Sequence, residues 1–192
     1  MKRDPALHPL SHHHHQALLA AQRLKLAVNV ADATDAFLSF WNAHGHPHFR
    51  IEEEVLLPGW VRYDADADHA ILARVFTEHL MIRGEARRLR REQPSIEQLH
   101  DLGALLESHV RFEERTLFPR IEERLSLEAI AELGADIAAA EASAAGSGRS
   151  GSIEAVSQAP QRPAHHPTFD PFHQSGTGGP GTTAGWPWTN RR

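Results

Sequence analysis

For its first 141 residues the apolar positions of this chain recur at intervals of three and four and never settle into the alternation of a β-strand. That period admits one secondary structure, the α-helix, and four long stripes can be read from it. Leu10, His14, Ala17, Ala21, Leu24 and Val28 fall on one face of a first helix. Phe37, Trp41, His44, His48, Glu52 and Val55 form the stripe of a second, with Pro47 expected to kink it or to restart it. Leu72, Val75, His79, Ile82, Ala86 and Leu89 make a third. A capping box from Ser95 to Gln98 opens the fourth, which turns Leu102, Leu106, His109, Glu113 and Thr116 inward. Ser126 is placed to cap a short fifth helix ending before Gly146. Short connections make consecutive helices antiparallel, so the expected fold class is all-α: an up-down-up-down four-helix bundle over residues 1–141.

From residue 142 the composition changes. Residues 142–192 hold eight of the 13 glycines and six of the 12 prolines, with only four Leu, Ile, Val or Phe. So little apolar surface does not offset the entropy of ordering, and the segment reads as a disordered tail. Trp186 and Trp188 in GWPWTN suit either a docking tag or an unselected end, and the second is the expectation. The net charge is −5, and the bundle holds 16 Lys and Arg against 23 Asp and Glu, which argues against nucleic acid as a partner. No stretch has the length of a membrane span or the layout of a signal peptide, so a cytoplasmic protein away from membranes is expected. There is no cysteine, hence neither disulfides nor thiolate ligands.

Within this frame the fifteen histidines stand out. One histidine on an apolar face is more often a core residue than a ligand. Here each of the four stripes carries one near its middle, and two carry a glutamate four residues on: HFRIEEEVLLP from His48 and HVRFEERTLFP from His109 repeat one grammar. A spacing of four aims both side chains from the same side of a helix. Burying four imidazoles and two carboxylates costs several kcal/mol per ionised group unless a partner compensates, and a metal is such a partner. Histidine and carboxylate without thiolate suit iron, manganese or zinc. The candidate ligands are His14, His48, Glu52, His79, His109 and Glu113, enough for two ions that share the glutamates and keep open positions. His12 to His15 form a run: His14 shares its face with Leu10 and Leu24 and is favoured, while His15 shares its face with Ser11, Gln22 and Leu26 and is the alternate. His44 reads as core-lining or surface, or else as an auxiliary ligand. Arg50, Arg83 and Arg111 read as near the carboxylates or as solvated charge, and Glu53, Glu54 and Glu114 as solvated.

The segments HHHHQALLAAQRL, HPHFRIEEEVLLP, FTEHLMIRGEARRL and ESHVRFEERTLFPRIEERL resemble, in order and spacing, the hemerythrin-like HHE cation-binding domain over about residues 7 to 125. The resemblance implies a four-helix bundle around a non-haem di-iron centre, two iron ions with an oxo or hydroxo bridge, ahead of manganese or zinc. It also implies those same six ligands, with Glu52 and Glu113 as bridges. Two departures matter. The oxygen carriers have a histidine four after the third-helix ligand, where this chain has Arg83, and their last motif has a longer spacing, to aspartate. Simple reversible O2 transport is therefore not implied. The expected function is binding or reacting with O2, peroxide or nitric oxide, or handling iron; the alternative is a non-catalytic metal- or oxygen-responsive sensor or interaction module. No separate general acid, nucleophile or phosphate loop is visible, so no catalytic residue and no protein partner are named.

Overall fold

The computed structural model describes residues 3–147, all of its regular elements are helical, and the expected tail lies outside that range but for its first six residues. A short turn of 3₁₀ helix, Pro5–Leu7, leads into α1, His8–Lys25. Helix α2 covers residues 30–63, α3 is His69–Leu89, α4 covers residues 96–124, and α5 is Leu127–Ser147. Their starts are those that local chemistry favours. Asn29, Asp68 and Ser95 accept hydrogen bonds from the first free amides of α2, α3 and α4, with Gln98 closing the capping box, and Ser126 accepts from Ala129 at the head of α5. No helix among the described residues is long and apolar enough to cross a membrane.

The core is two apolar clusters. The first gathers Leu10, Leu56, Trp60, Val75, Leu117, Phe118, Leu133 and Ile137; the second gathers Ala21, Leu24, Phe37, Trp41, Phe49, Ile82, Leu102 and Leu106. Along the chain α1 and α3 pass from the first cluster to the second, and α2 and α4 pass back. At each crossing the buried residue is polar: His14, His48 with Glu52, His79, and His109 with Glu113. Helix α5 adds Ile130, Leu133 and Ile137 to the first cluster only. It spans 21 residues, as many as α3, and continues past Gly146 to Ser147, longer than the sequence pattern led us to expect. Its alanine-rich second half is a strong helix former with a weak stripe, which hides its length from periodicity.

Three π-helical turns interrupt the rods: Trp41–Gly45 and Glu52–Leu56 in α2, and Glu113–Leu117 in α4. In each, the amide that follows the turn reaches back five residues, His46 to Trp41, Leu57 to Glu52 and Phe118 to Glu113, and the next residue is a proline: Pro47, Pro58 and Pro119. Proline lacks an amide and its ring crowds the carbonyl four residues back, and a widened turn relieves both. At Pro47, where a kink or a restart is expected, the structure has a widened turn at Trp41–Gly45 followed by an α-helical segment from His46. The extra residue also shifts the inward face by one. Gly45, Leu56 and Leu117 are buried where the periodicity pointed to His44, Val55 and Thr116, and His44 itself is exposed. Val28, at the end of the first stripe, lies beyond Lys25 and is 96% exposed.

Helices α1 and α4 approach closely at Gly103, where an added Cβ would come within 2.8 Å of the Ala21 carbonyl oxygen and 2.9 Å of Leu24 Cβ. Gly103→Ala would raise helix propensity by ~1 kcal/mol, but its methyl group presses on the Ala21 carbonyl and on the Leu24 and Lys25 side chains. We expect a net loss of ~1–3 kcal/mol, read as a lower urea midpoint; a raised midpoint would show that the approach is not tight.

Candidate metal centre

The four crossing points converge on one buried cluster. His14 Nε2 and His48 Nε2 lie 3.0 Å apart, and His79 Nε2 and His109 Nε2 3.1 Å apart. The glutamates stand between the two pairs. Glu52 presents Oε1 to His48 at 3.3 Å and Oε2 to His79 at 3.4 Å; Glu113 presents Oε2 to His14 at 3.1 Å and Oε1 to His109 at 3.2 Å. Two sets of four candidate donors result, His14, His48, Glu52 and Glu113 on one side and Glu52, His79, His109 and Glu113 on the other, with donor atoms in each set within 4.8 Å of one another. All six residues proposed from the sequence are thus brought together and buried, whereas His15 is exposed.

Three of the four histidines are held from behind by a carboxylate. His14 Nδ1 donates to Glu114 at 2.6 Å, His79 Nδ1 to Glu53 at 2.8 Å and His109 Nδ1 to Glu78 at 3.0 Å. Each carboxylate is paired in turn with an arginine at 2.8 Å: Glu114 with Arg3, Glu53 with Arg83, Glu78 with Arg74. Arg74 also covers the ring of Phe112 at 3.8 Å, and Phe49 stacks on His79 at 3.7 Å. None of these outer carboxylates lies on an apolar stripe: the sequence pattern marks Glu53 and Glu114 as solvated and gives Glu78 no role. Each neighbours a ligand candidate in sequence, and a step of one residue turns a side chain about 100° around the helix. The neighbour therefore faces the adjacent helix, and an acid beside an inward histidine or glutamate is the signal. Arg50 and Arg111 are ordinary surface charge, paired with Glu54 and Glu107.

The electrostatics call for a cation. Among the described residues, both oxygens of Glu52 and both of Glu113 are buried with no hydrogen-bond partner, on side chains that are 0% exposed. An unpaired buried carboxylate costs several kcal/mol. With Nδ1–H donating outward, neutral His79 and His109 turn lone pairs toward each other across 3.1 Å, so something positive must lie between them. Without metal that role falls to a proton. Burial opposes a charge on His79, but Glu113, Glu52 and Glu53 outweigh it and raise its pKa to about 11. A metal ion supplies the same charge while satisfying the carboxylate oxygens as well, so the donor set fits one.

Outside the centre, burial works to raise the Glu114 carboxyl, and His14 and Arg3 overcome it to hold the pKa at about 2. A depressed carboxyl stabilises the fold above its ordinary value of 4.5, and that contribution is lost as the pH falls toward 2. Glu114→Gln keeps the shape but removes the charge that orients His14. It should weaken metal binding by about 10–100-fold, measured by chelator competition; unchanged affinity would make Glu114 a surface ion pair and nothing more.

A family model of the hemerythrin HHE cation-binding domain matches residues 6–143, a span that includes all six inner residues. Comparisons with curated proteins and with solved structures give no match.

Proposed function

The chain belongs to the hemerythrin HHE cation-binding domain family, and on that premise we propose that it carries a non-haem di-iron centre that binds or reacts with a small molecule such as O2, peroxide or nitric oxide. His14 and His48 would hold one ion, His79 and His109 the other, and both ions would share Glu52 and Glu113. The observation that carries this reading is that each glutamate directs one oxygen to each histidine pair and has no other partner.

Each ion would find four protein donors in this arrangement, fewer than the six an octahedral iron site takes. Iron held there supplies one-electron redox chemistry and an open position for an exogenous ligand. The residues do the rest. Glu114, Glu53 and Glu78 fix three imidazoles with their lone pairs inward, and the two apolar clusters keep bulk water from the carboxylates. Position 83, four after His79, is an arginine engaged by Glu53, so α3 contributes one histidine to the centre. A ligand set this sparse supports reaction with, or response to, a small molecule over its reversible carriage.

Nitric oxide is the direct probe. Added without air to reduced, iron-loaded protein, it should change the optical spectrum and saturate at a fixed ratio to iron. No spectral response from protein that retains its iron would contradict an open position.

A further inference from the structure

Four consecutive histidines lie in α1, and only His14 belongs to the inner cluster. His13 is half-buried and turns toward α5, its Nε2 3.6 Å from Glu141 Oε1, and its ring meets that of His48 edge-on with 5.5 Å between centroids. A cavity of about 10 Å³, the space of about one water, lies at this edge, and His13, His44, His48, His109 and Glu113 are among the residues that line it. Three histidines along it are graded in burial: His44 is exposed, the His13 side chain is 33% exposed and that of the inner His48 is 5% exposed.

His48 is also the exception among the inner histidines. Its Nδ1 is buried with no hydrogen-bond partner, and so are His13 Nδ1 and Glu141 Oε1 beside it. The other three histidines are backed by carboxylate–arginine pairs, and a guanidinium repels an approaching cation. Behind His48 no such pair stands among the described residues. A divalent cation sheds water only where other donors replace it, because an ion stripped in apolar surroundings costs many kcal/mol. On this side His13 Nδ1, Glu141 Oε1 and His48 Nδ1 stand close together with no hydrogen-bond partner among the described residues, and the exposed His44 lines the same cavity as His13 and His48.

We propose that His44, His13 and Glu141 form a transit path by which a divalent cation reaches the buried centre, with His48 receiving it. The proposal rests on the metal-centre reading above and adds a role for residues outside the six. Transit donors lower the barrier without changing its end points, so they speed loading and release in equal ratio and leave affinity unchanged.

The test uses full-length protein stripped of metal and cobalt(II) as the probe, followed by its visible bands. The double variant His13→Ala, Glu141→Gln should take up cobalt about tenfold more slowly, as for a barrier ~1.4 kcal/mol higher, and release it to a chelator more slowly by the same factor. Final cobalt content and circular dichroism should match the unsubstituted protein, and exposed His15→Ala should load at the original rate. Uptake as fast as in the unsubstituted protein would overturn the path. So would a lower final content at unchanged rate, which makes His13 or Glu141 an equilibrium ligand. Failure of the unsubstituted protein to take up cobalt would overturn the metal centre itself, and the path with it.

Discussion

On the proposed two-ion reading, Glu113→Ala should cost the protein at least one metal ion. The side chain is fully buried, touches both histidine pairs, at 3.1 Å from His14 and 3.2 Å from His109, and has no other partner for either oxygen. Its removal takes one donor from each set at once. Outer carboxylates that only orient a ligand are worth about 10–100-fold in affinity, and a shared inner donor should exceed that, so ions should be lost during desalting. His100→Ala is the control, because that ring binds the Ala27 carbonyl away from the cluster. Metal content measured after desalting decides the matter, and full content in the Glu113 variant would end the bridging role.

Stripping the metal from the unsubstituted protein should have the second large effect. The six candidate ligands are brought together only in the folded chain, so metal bound there would add directly to folding stability. At a free metal concentration a thousandfold above Kd this amounts to ~4 kcal/mol. A chain of this size shifts by roughly 2–4 °C per kcal/mol, so the melting temperature should fall by about 8–16 °C on chelation. The stripped bundle should still fold, because protons then occupy the histidines that the glutamates hold charged, His79 with a pKa of about 11. Identical melting curves with and without metal would mean that the histidines are merely part of the core.

What the sequence revealed and what it hid follow from the geometry of a helix. His14, His48, Glu52, His79, His109 and Glu113 share their stripes with core residues, so the period that identifies the core also identifies them. Glu53, Glu78 and Glu114 lie off those stripes and meet their histidines on neighbouring helices, contacts with sequence separations of 26, 31 and 100 that no local pattern records. The inward shift to Leu56 and Leu117 was also hidden, because a fixed period has no place for the residue that each π turn inserts ahead of Pro58 and Pro119. Arg83 was legible as a departure from the oxygen carriers, but its clamp on Glu53 emerged only in three dimensions.

The most direct measurement is the metal content of protein purified from an iron-rich culture, by elemental analysis against protein concentration. Two irons per chain are expected, one for each pair of histidines across the shared glutamates. Folded, helical protein that emerges with no bound metal, and takes up none when iron(II) is supplied without air, would contradict the centre outright.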